Sequence, residues 1–189
     1  MKIGIIGAGN IGGTLVRRFR ALGHDVSVAN SRGPETLAEL ARETGAKAVT
    51  VEQAARGQDV VVVTIPEKHI PELPRDLFAG APASLVVVDT GNYYPQRDGR
   101  LDEIESGMPE SVWVSRTIGR SVVKAFNNIY AKHLMENGKT RGADCPAHAS
   151  SEASRPVRRV RVGSPPPARA PFPVLMVESE HVPRYPSSC

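Results

Sequence analysis

The first 140 residues of this chain contain no cysteine, because its two cysteines are Cys145 and Cys189. Aromatic residues make up only 5% of the chain. No apolar run approaches the roughly 20 residues that a membrane span requires, and no apolar region precedes a cleavage site near Met1. A disulfide framework is therefore not needed in this part of the chain, and we expect a cytoplasmic protein with no membrane partner.

Positive charge is also scarce in this part of the chain. The formal net charge of the whole chain is +4, and seven arginines and four acids after residue 140 account for +3 of it, which leaves +1 for residues 1–140. The basic surface that nucleic-acid binding requires is absent there, so nucleic acid is not an expected partner of this part.

Nine of the 16 prolines follow residue 140. Residues 141–189 show no helical or strand periodicity except at 174–177, and such a segment buries too little apolar surface to offset its ordering entropy. We therefore predict a folded domain over 1–140 and an irregular tail over 141–189. The tail is interpreted either as a frame-shifted ending or as a disordered basic segment that binds anionic partners.

Short apolar runs alternate with helical patterns in the first 140 residues. Six strands are predicted, at 2–7, 25–30, 46–49, 59–65, 85–89 and 121–126. Helices are predicted at 11–22, from Pro34 to 44, after a capping box of Thr50 and Gln53, and at 128–137. Consecutive valines in two of the runs indicate strands buried on both faces, so the fold class is α/β with a doubly wound parallel sheet.

A G-x-G-x-x-G motif spans residues 7–12, at the end of the first predicted strand and the start of the first helix. In this context the glycines allow a tight turn, a close approach of the backbone to a diphosphate, and close packing of the helix. The motif predicts a dinucleotide-binding domain of the Rossmann type. The residues expected to contact the diphosphate are Gly7, Gly9, Asn10, Ile11 and Gly12.

The end of the second predicted strand reads Asn30-Ser31-Arg32 and contains no carboxylate. An NAD-selective domain usually carries Asp or Glu there, which binds the ribose 2′-hydroxyl and repels a 2′-phosphate. Arg32 and Ser31 instead offer donors to a 2′-phosphate. The sequence therefore predicts NADP(H), rather than NAD(H), as the cofactor.

Four segments, GIIGAGNIGGTL, NSRG, DTGNYYP and VKAFNNIYAKHL, occur in this order. Together they make residues 1 to about 140 resemble the NADPH-dependent coenzyme F420 reductases. The resemblance implies reversible hydride transfer between NADP(H) and F420, a deazaflavin, with a small-molecule redox acceptor as the partner. It places Thr64, Ile65 and Pro66 beside the nicotinamide ribose. It also implies a border of the reacting face formed by Asn92, Lys124, Ala125 and Asn127.

The resemblance stops near residue 140. Members of that family continue with a compact α/β portion that completes the acceptor pocket, and residues 141–189 do not show this pattern. We therefore expect impaired activity and uncertain formation of the homodimer. Two alternatives stay open: an imine or carbonyl reductase like the pyrroline-5-carboxylate reductases, and a non-catalytic NADP-binding sensor.

No single catalytic residue is assigned, because hydride transfer depends on proximity, orientation and exclusion of water, and no metal site is predicted. Lys124 is interpreted as a lysine paired with a neighbour in preference to a proton donor. His69 and His133 are expected on the surface. Tyr93 and Tyr94 fit a ring-stacking role and a packed corner equally well. Glu67 is expected to face solvent.

Overall fold

The computed structural model describes residues 1–136 of the chain. The predictions for 141–189, and the last residue of the helix predicted at 128–137, lie outside the described residues. The strands are β1 (Lys2–Ile6), β2 (Asp25–Ala29), β3 (Lys47–Ala48), β4 (Val60–Val63), β5 (Val86–Asp89) and β6 (Val123–Lys124). The helices are α1 (Asn10–Ala21), α2 (Ala38–Thr44), α3 (Val51–Ala55), α4 (Pro95–Asp98), α5 (Asp102–Glu105), α6 (Glu110–Ile118) and α7 (Ala131–Glu136), with 3₁₀ helices at Pro34–Leu37 and Glu67–Glu72.

All six strands pair in parallel in one sheet, in the order β3-β2-β1-β4-β5-β6. The chain winds outward from β1 to β3, returns to the centre, and winds the other way from β4 to β6. This is the strand order of a doubly wound Rossmann-type sheet, and it confirms the predicted fold class.

The valine run of β4 shows how the sheet is buried on both faces. Val61 and Val63 belong to one apolar cluster, together with Trp113 of α6, whereas Val62 belongs to a second cluster with Leu15 of α1. Alternate residues of a strand point to opposite faces, so each face of β4 has its own core. Full burial of one such valine contributes roughly 1.5 kcal/mol or more.

Most elements are shorter than predicted. The strand predicted at 59–65 pairs only over Val60–Val63, and the one predicted at 121–126 only over Val123–Lys124. The helix predicted from residue 128 begins at Ala131, after a turn. The capping box is present, because the Thr50 hydroxyl accepts from the Gln53 amide and the Gln53 side chain accepts from the Thr50 amide.

Among the described residues, no helix is both long and apolar enough to cross a bilayer.

Candidate functional site

The centre of the site is the carboxyl edge of the sheet, between β1 and β4. The winding direction reverses between these two strands, and ligands of open parallel sheets bind in the crevice formed there. Two backbone hydrogen bonds join the strand ends: the Gly7 amide donates to the Ala29 carbonyl at 2.8 Å, and the Thr64 amide donates to the Ile6 carbonyl at 2.8 Å. The loops after β1, β2 and β4 therefore meet at one place.

Residues 7–12, here called the glycine turn, connect β1 to α1. Gly7 has a φ of 109°, and a Cβ there would overlap the carbonyl oxygen of Thr64. A Cβ on Gly12 would overlap the carbonyl oxygen of Gly7. The first and last glycines are thus required by close approaches of backbone to backbone, as the sequence predicted.

Gly9 has a different environment, because a Cβ on this residue would meet no atom within 4 Å. Gly9 is the N-cap of the 12-residue helix α1, makes no side-chain capping bond, and is followed by a first turn without acidic residues. The first amides of α1 and the positive end of its dipole therefore face open space. This bare helix terminus fits the diphosphate of NADP(H), although the contact itself stays a prediction.

A cleft of about 830 Å³ extends from the glycine turn along α1. Gly9 and Asn10 line one part of it, Arg32 and Thr36 another, and Lys132 of α7 contributes to the far side. The cleft thus joins the proposed diphosphate site to the end of β2, where the ribose of the adenosine half is expected.

The turn after β2 is held by the side chain of Asn30. Its Oδ1 accepts from the Arg32 amide at 2.9 Å, and its Nδ2 donates to Thr36 Oγ1 at 2.9 Å. Ser31 and Arg32 are exposed at the tip of this turn. Asn30 therefore shapes the turn, and Ser31 and Arg32 are left accessible to a ligand.

Three carboxylates also line the cleft, Glu39, Glu43 and Glu136. Arg17 binds Glu43 with two hydrogen bonds of 2.6 Å, from Nε and Nη2. The hydrogen bond from Arg17 lowers the pKa of Glu43, and together with the charge of Arg17 it outweighs the opposing effect of burial. The charge of Glu43 is thus compensated within the protein, which reduces its repulsion of a bound phosphate.

Residues 64–67, here called the β4 loop, follow β4 at the crevice. Thr64, Ile65 and Pro66 are half-buried, and an Ile65 methyl group lies close to Gly7. The predicted nicotinamide-ribose residues thus adjoin the glycine turn. Glu67, at the end of this loop, is fully buried, so the expectation that it faces solvent is wrong.

Lys124 of β6 lies at the centre of a group of acids. Its Nζ donates to Asp89 Oδ2 at 2.9 Å and to Glu110 Oε2 at 3.1 Å, and it lies 3.7 Å from Glu67 Oε1. We call these four residues the charged cluster. Burial acts to lower the pKa of Lys124, but the nearby carboxylates outweigh it and raise that pKa. Lys124 is thus a cation paired with neighbouring carboxylates, which is the interpretation that the sequence favoured. Its raised pKa also makes it a poor proton donor.

Glu67 is the member of the charged cluster that sequence reasoning missed. Neither of its carboxyl oxygens has a hydrogen-bond partner among the described residues. Burial first, and then the charge of Asp89, raise the pKa of Glu67 from 4.5 to about 7. The one available signal was its position four residues after the end of a buried strand, at the carboxyl edge where ligands of parallel sheets bind.

The other predicted pocket residues surround the charged cluster. Asn92 Nδ2 donates to the Asn127 carbonyl at 2.6 Å, and the Ala125 amide donates to the Asp89 carbonyl at 3.0 Å. Phe126, which lies between Ala125 and Asn127 in the chain, has a φ of 62°, and such a value is uncommon for a residue with a side chain. The structure therefore brings Asn92, Lys124, Ala125 and Asn127 to one end of β5 and β6; their contact with an acceptor stays a prediction.

The tyrosines and histidines contribute less. The Tyr93 hydroxyl donates to Glu105 at 2.9 Å and accepts from the Leu101 amide at 3.1 Å, which makes it a packed corner, while Tyr94 is exposed. His69 pairs with Glu72 at 2.9 Å on an accessible part of the surface. His133 is exposed, as expected.

The sheet order and the glycine turn define a dinucleotide-binding domain of the Rossmann type. The family model described as NADP oxidoreductase, coenzyme F420-dependent, matches residues 2–93. The crystal structure of a hypothetical protein from Sinorhizobium meliloti is 31% identical to this chain, with a TM-score of 0.63, over 74% of this chain and 68% of that one. The chain therefore belongs to the family of coenzyme F420-dependent NADP oxidoreductases, and it is an NAD(P)-dependent oxidoreductase.

A second solved structure shares the fold. It is a protein of Arthrobacter sp. FB24, provisionally described as an F420-dependent NADP reductase, with 23% identity, a TM-score of 0.56, and coverage of 76% of this chain and 70% of that one. No curated protein matches the sequence closely enough to count as a relative.

Proposed function

We propose that the protein binds NADP(H) across the glycine turn and the turn of Ser31 and Arg32, and that it transfers a hydride between NADP(H) and a deazaflavin of the coenzyme F420 type, or a related acceptor. The nicotinamide supplies the hydride chemistry when it is bound. The protein's own residues bind the phosphates, orient the ring and exclude water.

One observation carries the proposal. The uncapped N-terminus of α1, at Gly9, opens into the same cleft as the Arg32 side chain. A dinucleotide with a 2′-phosphate has two anionic groups, and this cleft offers a helix terminus for one and a guanidinium for the other. The family match over residues 2–93 supports the same cofactor.

The acceptor is proposed to lie toward the ends of β5 and β6. The charged cluster there holds more carboxylates than cations and would repel a phosphate, whereas an uncharged redox ring meets no such repulsion. Asn92 and the backbone of Ala125 and Asn127, fixed by the hydrogen bonds described above, would border that ring.

Arg32→Ala tests the cofactor half of the proposal. We expect the Kd for NADP⁺, measured by calorimetry, to rise by roughly 10- to 100-fold, because a charge-assisted bond to the 2′-phosphate is worth about 1.5–3 kcal/mol. The Kd for NAD⁺ should change little. Arg42→Ala removes the same charge from an exposed position of α2 that does not line the cleft, and it should leave both constants unchanged. Equal losses in the two variants would contradict a specific phosphate contact.

The acceptor half is tested by following loss of NADPH absorbance with and without the oxidised deazaflavin. We expect deazaflavin-dependent oxidation of NADPH. Because residues 141–189 depart from the family pattern, we expect slow turnover in this chain. Tight binding of NADPH without turnover of the deazaflavin or of a cyclic imine would contradict hydride transfer and favour a non-catalytic NADP sensor.

A further inference from the structure

The β4 loop connects the two halves of the site. At its start, the Thr64 carbonyl and the Ile65 side chain lie against Gly7 of the glycine turn, so closely that no Cβ fits between them. At its end, Glu67 is buried beneath the loop after β5, where a Cβ on Gly91 would overlap its carboxyl oxygens. The four residues of the β4 loop therefore connect Glu67 directly to the place where NADP(H) is proposed to bind.

The surroundings of Glu67 suit a neutral carboxyl and not an anion. Lys124 is the nearest cation, but at 3.7 Å it is beyond hydrogen-bond distance, and its ammonium already donates to two other carboxylates. An ionised Glu67 would add a buried charge that no described residue binds. Such a charge is costly in an apolar or acidic environment.

The groups that face Glu67 come from four elements, and they leave a surplus of negative charge. They are Asp89 of β5, Lys124 of β6, Glu110 of α6, and the ion pair of Asp98 with Arg97 in α4.

We infer that Glu67 is a positioning residue that holds the β4 loop in its NADP(H)-binding conformation when it is protonated, so that binding of the cofactor is coupled to uptake of a proton by Glu67. This inference rests on the proposed function, since it requires NADP(H) at the glycine turn. The elevated pKa of Glu67, about 7, means that roughly nine tenths of the free protein carries it ionised at pH 8.

The test is calorimetric titration of the full chain with NADP⁺ at pH 8, in two buffers that differ in ionisation enthalpy. The difference in observed heat gives the number of protons exchanged on binding. We expect a net uptake of protons, which cannot exceed about 0.9 proton per NADP⁺ because roughly that fraction of Glu67 is ionised beforehand. The 2′-phosphate does not contribute, because its second pKa is about 6 and it is fully ionised at this pH.

Glu67→Gln should abolish the proton uptake, since the amide is neutral at every pH. If the Gln variant does not fold, Glu67→Leu replaces it in this measurement, because leucine is neutral and of similar volume. Glu72→Gln is the matched control, because Glu72 belongs to the same 3₁₀ helix but is exposed, and it should take up as many protons as the unmodified chain.

No net uptake in the unmodified chain, or an uptake that persists without Glu67, would overturn the inference while leaving the proposed function intact. Failure to bind NADP⁺ at any pH would overturn the proposed function and this inference with it. A role of Glu67 in stability alone would change the unfolding transition of the variant but not the protons taken up on binding.

Discussion

The glycine turn and the charged cluster lie on the same edge of one sheet, but they are built in opposite ways. The glycine turn is made of backbone, with amides facing open space and no acidic residue in the first turn of α1. The charged cluster is made of side chains, with three carboxylates around one ammonium. The first attracts an anion, and the second repels one. Under the proposed function, this asymmetry would favour one orientation of a phosphate-bearing ligand along the edge.

The two regions also differ in what they tolerate. In the glycine turn the constraint is steric, since backbone atoms already occupy the space next to Gly7 and Gly12. In the charged cluster the constraint is electrostatic, since the carboxylates share one cation. A change of shape should therefore be most damaging in the first region, and a change of protonation in the second.

Gly12→Ala should have the largest effect on stability. Its Cβ would overlap the Gly7 carbonyl, which belongs to the backbone and cannot rotate away. We expect the free energy of unfolding to fall by on the order of 3–4 kcal/mol, as measured by urea denaturation. Gly13→Ala is the control in the next position of α1, where the nearest atom is the end of the Arg17 side chain at 3.3 Å, and it should cost far less. Equal losses would contradict a steric origin.

This steric region is also the part that could be predicted from the sequence. The steric role of Gly7 and Gly12 follows from their neighbours in a strand–turn–helix segment of a dozen residues, and both close backbone approaches are present. The binding roles of Gly9, Ser31 and Arg32 stay predictions. The parallel sheet was predictable for the same reason, because runs of valine indicate burial on both faces.

The charged cluster could not be predicted in this way. Lys124 is separated by 35 residues from Asp89 and by 14 from Glu110, and only the packing of α6 and β6 brings them together. Whether Glu67 faces solvent or protein depends on those distant elements. Its local sequence, Pro66-Glu67-Lys68, resembles an exposed turn, which explains why the expectation for Glu67 was wrong.

Glu67→Gln tests the electrostatic constraint in the charged cluster through the pH dependence of the free energy of unfolding. The folded pKa of Glu67 is about 7 and its ordinary value is 4.5. Below pH 4.5 both states are protonated and no penalty exists. Between pH 4.5 and 7 the unfolded chain releases this proton while the folded chain keeps it, so stability falls as pH rises, and the loss is complete above pH 7.

The free energy of unfolding that is lost as the pH rises from 4.5 to 7 amounts to at most about 3 kcal/mol. The Glu67→Gln variant has no such penalty. Its free energy of unfolding, relative to that of the unmodified chain, should therefore rise by about this amount between pH 4 and pH 8, as measured by urea denaturation at both pH values. The same pH dependence in both proteins would show that Glu67 does not retain its proton in the folded state.

Gly9→Ala should have the smallest effect on the fold, and it separates binding from stability within the glycine turn. A Cβ at this position meets no protein atom, and the φ of −73° suits alanine, so the free energy of unfolding should change by less than about 1 kcal/mol. The same Cβ would point into the space proposed for the diphosphate. The Kd for NADP⁺ should therefore rise by about tenfold, or 1.4 kcal/mol, in calorimetry. Since Gly12→Ala damages the fold and Gly9→Ala should not, unchanged affinity in the stable variant would place the diphosphate away from the α1 terminus and remove the observation on which the cofactor assignment depends.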